Sequence, residues 1–268
     1  MRLNYDHLPD FIETLTMRLS AILITHNEQA HIVDCLKALD FADEIIVVDA
    51  ASTDQTAALA RQLGAQVHVT PDWPGFGAQK NRALALAKGD WVLSVDADER
   101  VPPALRDEIL AVVAQNQGAQ VYRFPRRSSY CGQFMQHSGW SPDWVVRLFK
   151  RGSAQFSNDV VHEKLCVQGA VGDLKTPLVH LSFPDFESVL DKANRYSSAG
   201  AVALRAKGKS ATLWGALGHG AWAFFRTYVL RRGFLDGQLG LALAISNAEG
   251  TYYRYAKRWL MTRHEIGQ

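Results

Sequence analysis

Gly89-Asp90-Trp91-Val92-Leu93-Ser94-Val95-Asp96-Ala97-Asp98-Glu99-Arg100 is a run of β-forming, mostly apolar residues that stops at two carboxylates. Residues 91–95 predict a strand buried inside a parallel sheet. Asp96 and Asp98 follow one residue apart, so an extended chain turns both to the same side. Two carboxylates converging at the carboxyl end of a strand repel each other unless a cation lies between them. Hard divalent ions take oxygen ligands, and Mg2+ commonly combines one or two carboxylates with a substrate's phosphates. In open α/β sheets, ligands gather at this edge. A polar turn closing a core strand is the plainer reading of Asp-x-Asp alone, and the residues before it decide between the two.

Upstream, residues 19–25 form another short apolar strand that runs into Thr25, His26, Asn27 and Glu28. Residues 44–48 form a second, ending in Asp49. Ser52, Thr53 and Asp54 then offer N-caps for a helix reaching about residue 63, where Gly64 stops it. Residues 65–69 are a third strand. Pro71, Pro74, Gly75 and Gly77 make a loop, and 78–88 a helix closed by Gly89. Short apolar strands alternating with amphipathic helices predict an α/β fold with a parallel, doubly wound sheet. Three strands end in polar residues, a row that suits a nucleotide. No Gly-x-Gly-x-x-Gly follows the first strand and no Gly-Lys-Ser/Thr loop occurs, so a dinucleotide fingerprint and a phosphate loop are both missing. A diphosphate then needs another hold, and a metal on Asp98 is the available one.

With 268 residues, 47% of them apolar and 21% charged, the chain can bury a sizeable core as one large domain or a domain plus an extension. A net charge of +2 gives no reason to propose nucleic acid. The charge is uneven, however: from 195 to 268 there are 11 Lys/Arg against 3 Asp/Glu. Cys35, Cys131 and Cys166 show neither zinc spacing nor a disulfide framework, which fits a reducing cytosol. The first 16 residues carry Asp6, Asp10 and Glu13 without an apolar core and do not read as a signal peptide.

Four motifs in this order resemble family 2 glycosyltransferases of the GT-A fold. They are Ile24-Thr25-His26-Asn27-Glu28, the run from Val47 through Asp49 to Thr56, Gly77-Ala78-Gln79-Lys80-Asn81, and the opening stretch. The resemblance implies that Thr25, Asn27, Glu28 and Asp49 hold the uridine of a UDP-sugar donor. It implies Lys80 near the nucleotide, where the family often has Arg, Asp96 towards the ribose, and Asp98 on Mg2+ or Mn2+. Gln55 stands where the family usually has Gly.

Further along, Pro102 and Pro103 open a helix to about residue 114, and 120–124 read as a fifth strand. Residues 126–140 are polar and aromatic with Gly132 and Gly139, which predicts a loop over a sugar site. An inverting transfer needs a carboxylate to take the acceptor's proton as it attacks the anomeric carbon. Asp143 and Glu163 are the candidates, with Asp143 slightly favoured because Asp143 followed by Arg147 four residues on resembles the acidic base motif of the wider family. Their segments resemble a subset of family 2 enzymes. Either carboxylate could instead be a capping or paired surface residue. His162 and His180 could complete a metal shell or simply be hydrogen-bonded.

The last third predicts helices. Residues 186–207 form one, ended by Gly208. The apolar run 211–230 is about 20 residues, enough to cross ~30 Å of hydrocarbon, but His219, Arg226 and three glycines argue against crossing. Residues 239–245 are apolar and 252–259 basic and aromatic. Such a mixture suits helices lying at an anionic membrane surface, or a helical subdomain packed on the core. The two are compatible. This tail, with Lys192, Arg195, Tyr196 and the run Arg232 to Gly237, resembles bacterial lipopolysaccharide core β-1,4-glucosyltransferases. The expected organisation is a GT-A domain over 17–182 and a C-terminal helical extension over 183–268. The expected activity is inverting, metal-dependent transfer of a hexose, glucose foremost, from a UDP-sugar to an inner-core heptose at the inner face of the cytoplasmic membrane. The alternatives are another lipid-linked or protein acceptor, or a non-catalytic nucleotide-sugar-binding protein.

Overall fold

The computed structural model describes residues 18–157 and 164–266. In chain order the elements are β1 (Leu19–Thr25), α1 (Ile32–Lys37), β2 (Glu44–Asp49), α2 (Thr56–Gln62), β3 (Gln66–Val69), α3 (Phe76–Leu86), β4 (Trp91–Ser94), β5 (Glu99–Arg100) and α4 (Pro103–Gln115). Then come β6 (Val121–Tyr130), β7 (Gln133–Phe134), β8 (Asp143–Lys150), β9 (Ala154–Phe156), β10 (Leu165–Val167), β11 (Val171–Asp173), β12 (Leu178–Phe183), α5 (Phe186–Ala206), α6 (Leu213–Phe225) and α7 (Gly237–Ile266). The fold is α/β with a largely parallel sheet, flanking helices and a helical C-terminal part, as expected. The chain forms two compact units. The first takes residues 18–97, 109–122 and 147–172; the second takes 98–108, 123–146 and 173 onwards. They interleave along the chain, whereas the sequence reading drew one boundary at 182–183.

In the first unit the strand order is β3-β2-β1-β4-β8. β1 runs parallel to β2, with Ser20 opposite Glu44 and Thr25 opposite Asp49. β4 runs parallel to β1 and antiparallel to β8. All four residues of β4 are buried, as a strand with neighbours on both edges should be. Gly89 enters this strand against β1: a Cβ there would lie 2.7 Å from Ser20 Oγ and 2.8 Å from Ser20 N. α3 ends at Leu86, so Gly89 serves close approach and not helix termination.

In the second unit β12 pairs parallel with β6 and antiparallel with β5. β6 continues to Tyr130, through the first third of the stretch expected to be a loop. Arg126, Ser128 and Tyr130 recur every second residue on one face, and the pairing of Arg126 with Leu178 and Ser128 with His180 holds these polar positions extended. Tyr130 is fully buried in a cluster with Met135, Val189 and Leu243.

The tail is a three-helix assembly in which α5 and α6 both pack on α7. Asp185 caps α5 through Ser188 N (2.8 Å), and Thr212 caps α6 through Gly215 N (3.0 Å). The run expected over 211–230 divides into α6 and one π turn, Arg226–Leu230. The two later stretches join in α7. Arg232 adopts φ 54°, and a short 3-10 turn, Gly233–Asp236, follows. A Cβ on Gly240 would lie 1.9 Å from the Gly233 carbonyl oxygen, so only glycine lets α7 start so close to that turn. Among the described residues, no helix is long and apolar enough to cross a membrane.

Candidate active site

At the carboxyl ends of β1 and β2 the polar residues bind one another. Asp49, 1% exposed, accepts from Thr25 Oγ1 (2.8 Å), Ser52 Oγ (2.6 Å) and Ser52 N (2.8 Å). Asn27, in the left-handed region at φ 57°, donates its N–H to Ser52 Oγ (2.8 Å) and accepts from Thr53 N (2.8 Å). Glu28 N donates to Thr56 Oγ1 (2.8 Å). The motif residues thereby fix the shape of two loops. The Asp49 carboxylate is engaged at both oxygens.

On α3, fully buried Gln79 donates to Thr70 Oγ1 (2.6 Å). Asn81 clamps β9 by a reciprocal pair with Phe156, donating to its O (2.8 Å) and accepting from its N (3.0 Å). That brings the Phe156 ring under the Lys80 ammonium, 5.7 Å from the centroid. Lys80 Nζ is 3.0 Å from one oxygen of Asp96, and Arg147 Nη2 takes the other. Burial alone would raise the Asp96 carboxyl, but Arg147 and Lys80 outweigh it and hold the group well below the usual carboxylate range. Asp96 is thus an ionised anchor between two cations. Arg147, singled out in the sequence only for its spacing from Asp143, pairs with Asp96.

Asp98 opens the second unit. Its Oδ2 is 3.2 Å from His180 Nε2 on β12, and the other ring nitrogen of His180 lies 2.8 Å from Ser128 Oγ on β6. A carboxylate and an imidazole side by side, the imidazole steadied from behind by a hydroxyl, is a donor pair suited to a divalent cation. Among the described residues no group of three or more His, Cys, Asp or Glu is gathered as a ready-made cage. The donor set therefore fits an ion that completes its shell with substrate oxygens and water, which is the habit of Mg2+.

Asp143, at the start of β8, is held by Arg126, whose Nη2 lies 2.8 Å and Nε 2.9 Å from Oδ2. Arg126 Nη1 also reaches the fully buried Glu99 carboxylate at 3.2 Å. One guanidinium thus joins a buried acid to a partly exposed one and fixes where Asp143 points. Asp143, Arg126, Ser128 and His180 all face one cavity of about 520 Å³, closed by Trp140, Tyr196 and residues of α7. Tyr130 donates to or accepts from Ser246 on α7 at 3.0 Å. The Arg232-to-Gly237 motif supports the same wall from behind. Buried Asp236 accepts from Gln136 N (3.0 Å), His137 N (3.1 Å) and Ser138 Oγ (2.7 Å), fixing the loop that leads to Trp140.

Of the residues expected from sequence, Thr25, Asn27, Glu28, Asp49, Lys80 and Asp96 fall in the first unit, and Asp98, His180 and Asp143 in the second. Glu163 and His162 lie outside the described residues. Lys192 and Tyr196 on α5 were visible only as part of the tail's family resemblance, and Arg126, Ser128 and the other α5 and α7 residues of the cavity carried no signal that they would line one. They come together only through strand pairing and helix packing.

The geometry defines an α/β protein with polar strand ends in the first unit and a polar cavity in the second, and comparison with known proteins makes the class specific. Residues 20–173 match the model for glycosyl transferase family 2. An uncharacterized glycosyltransferase of Rickettsia felis is 32% identical over 256 residues, covering 90% of this chain and 89% of that protein. The lipopolysaccharide core biosynthesis glycosyltransferase LpsC of Rhizobium meliloti is 29% identical over 261 residues, 89% of this chain and 93% of LpsC. Among solved structures, S. aureus TarS 1-349 in complex with UDP-GlcNAc aligns with a TM-score of 0.49 at 15% identity, covering 93% of this chain and 92% of that one. The chain belongs to glycosyl transferase family 2 and is a glycosyltransferase.

Proposed function

We propose that this protein transfers a hexose, glucose foremost, from a UDP-sugar to an inner-core heptose of a lipopolysaccharide precursor, with inversion and with a divalent cation. The observation that carries the reading is the shared cavity: the Asp143 carboxylate lines it together with His180, which abuts Asp98. The similarity to LpsC supports a lipopolysaccharide core acceptor. Thr25, Asn27, Glu28, Asp49, Lys80 and Asp96 are the donor-side residues of this reading. Asp98, with His180 beside it, would hold Mg2+ or Mn2+, whose charge offsets that developing on the departing UDP.

Asp143 takes the proton from the acceptor hydroxyl as that oxygen bonds to the anomeric carbon. Arg126 fixes the orientation of the carboxylate, so its oxygen is positioned before the acceptor arrives. Glu163 is the second candidate for this role.

The acceptor is lipid-linked in this reading, so the protein would dock on the inner face of the cytoplasmic membrane. From 192 to 235 the chain carries eight Lys/Arg and no acidic residue. Along α6 and the following turns, Trp214 is 82% exposed, and Trp222, Phe225, Leu230 and Phe234 are exposed between those cations. Aromatic side chains among arginines suit an anionic headgroup layer. Flotation with phosphatidylglycerol vesicles should carry the protein upward, and Trp214→Ser with Trp222→Ser should leave it at the bottom. Flotation unchanged by both substitutions would remove this face from the account.

The test of the activity is a panel of UDP-sugars with and without purified heptose-containing core lipid. Labelled glucose should appear in the lipid only with UDP-glucose and a divalent cation. Label transferred equally well to unrelated lipid-linked acceptors would replace the acceptor assignment. Intact donor with every acceptor would return the protein to nucleotide-sugar binding.

A further inference from the structure

The cavity that Asp143 faces has an aromatic side. Trp140, Phe183 and Tyr196 line it, together with the neutral hydrogen-bonding groups of Ser197, Asn247 and Thr251. The three rings are not equivalent. The Lys192 ammonium sits 4.6 Å from the Phe183 centroid and 5.9 Å from that of Tyr196, so both of those rings already face a cation. Trp140 packs on other rings instead: Tyr130 meets it at 89° and 5.9 Å, and Phe183 at 34° and 6.0 Å. Among the described residues, the indole N–H of Trp140 has no hydrogen-bond partner. A half-buried indole in a cavity wall offers a flat apolar surface and one donor.

Trp140 is held in place from outside its own segment. Its backbone N–H donates to His137 O (2.9 Å), and Ser138 N donates to Arg231 O (2.9 Å). Asp236 gathers the same turn through Gln136 N, His137 N and Ser138 Oγ. Gly139, at φ 82°, lies close against Arg231: a Cβ there would be 2.5 Å from Arg231 Cδ. Asp143 stands three residues beyond Trp140 and is fixed separately, by Arg126. An indole and a carboxylate are thereby both anchored in the wall of one cavity. A pyranose ring matches such a pair. One of its faces carries mainly C–H groups and is apolar, while its hydroxyls project from the rim. That face can cover an indole, which takes apolar surface out of water on both partners. The rim hydroxyls can then use the neutral polar groups of the wall. An open-chain polyol has the hydroxyls without the face.

We propose, building on the transferase reading, that Trp140 is the platform on which the accepting sugar ring stacks, and that Asp236 is the positioning residue that holds this platform. Because Trp140 and Asp143 are anchored independently, a ring stacked on the indole presents a chosen hydroxyl to the carboxylate. The platform then contributes to affinity and also selects the hydroxyl that is glycosylated.

The test uses the whole chain, titrated with methyl α-mannopyranoside and with mannitol and followed by calorimetry and by tryptophan fluorescence. The wild type should bind the glycoside about tenfold more tightly than mannitol, with a saturable change in tryptophan emission. Trp140→Phe should keep most of the calorimetric affinity and lose the emission change. Trp140→Ala should lower the affinity about tenfold. Asp236→Ala, which releases the turn, should weaken glycoside binding and shrink the emission change, and Asp236→Asn, which keeps an oxygen acceptor, should restore part of both. Equal binding of glycoside and mannitol, no binding of the glycoside, an emission change that survives Trp140→Phe, or an unchanged affinity in Trp140→Ala would overturn the platform. Asp236 variants that lower the melting temperature yet leave both readouts at wild-type values would overturn the positioning role. UDP titration of the same wild-type sample reports separately on the transferase reading. UDP binding without glycoside discrimination would count against this inference alone, and glycoside stacking without UDP binding against that reading alone.

Discussion

The ends of β1 and β2 and the cavity in the second unit are both polar, but they are polar in opposite ways. At the strand ends, Thr25, Asn27, Asp49 and Ser52 spend their hydrogen bonds on each other over a short stretch of chain. In the cavity, polar groups from β6, β8, β12, α5 and α7 point into open space. The first arrangement specifies a loop shape and follows from a local sequence motif. The second specifies a binding surface and depends on contacts between residues more than a hundred positions apart, such as Tyr130 with Ser246. A substitution at the strand ends should therefore disturb folding and donor binding together. A substitution in the cavity should disturb the acceptor step with little effect on stability.

The largest separation of these effects is expected at Asp143. Asp143→Asn should lower transfer by about 10²- to 10⁴-fold, the usual contribution of a positioned base, with the melting temperature and UDP affinity close to wild type. Glu163→Gln measured in parallel decides between the two candidates. If neither substitution slows transfer, the cavity does not hold the base. A smaller but broader effect is expected at Asp49. Asp49→Ala removes the acceptor for three hydrogen bonds and should destabilise by about 3 kcal/mol in a denaturant titration while also weakening UDP binding. A stable Asp49→Ala protein with normal UDP affinity would break the contrast. At Gly240 the expected cost is about 2 kcal/mol for Gly240→Ala, because the added methyl meets the Gly233 carbonyl and the backbone must shift. A variant as stable as wild type would mean that the turn yields without cost.

The smallest expected effect is a pH dependence. The Asp96 carboxyl is lowered in the folded protein. Its contribution is therefore fully present above the ordinary carboxylate value of about 3.9 and is lost as the pH falls below that value towards the folded one. Asp96→Asn should flatten the acid limb of the stability curve below about pH 4, besides leaving Lys80 and Arg147 without their carboxylate. An unchanged acid limb would mean that the ion triad contributes nothing.

What the sequence made legible follows the same divide. Residues 91–95 announced a buried strand because apolar β-formers ran unbroken to the aspartates, and β4 is that strand. The alternation upstream of it foretold the parallel pairing of β1, β2 and β3. Asp143 was visible as a candidate, yet Arg126, which holds it, was not. Arg126 looked like a loop residue because nothing local reveals that β12 would pair beside it. The Arg232-to-Gly237 motif was noticed as a family resemblance, but its physical role needed the contact between Asp236 and residues 136–138. Local hydrophobic periodicity can be read along a chain, whereas a cavity assembled by helix packing cannot.

UDP titration with and without Mn2+ reads out whether Asp98 holds a divalent cation for a nucleotide-sugar donor. The wild-type chain should bind UDP more tightly with Mn2+ than with EDTA, and Asp98→Asn should lose that increment while keeping the wild-type melting temperature. Equal UDP affinity with Mn2+ and with EDTA, or an increment that survives Asp98→Asn, would contradict the account.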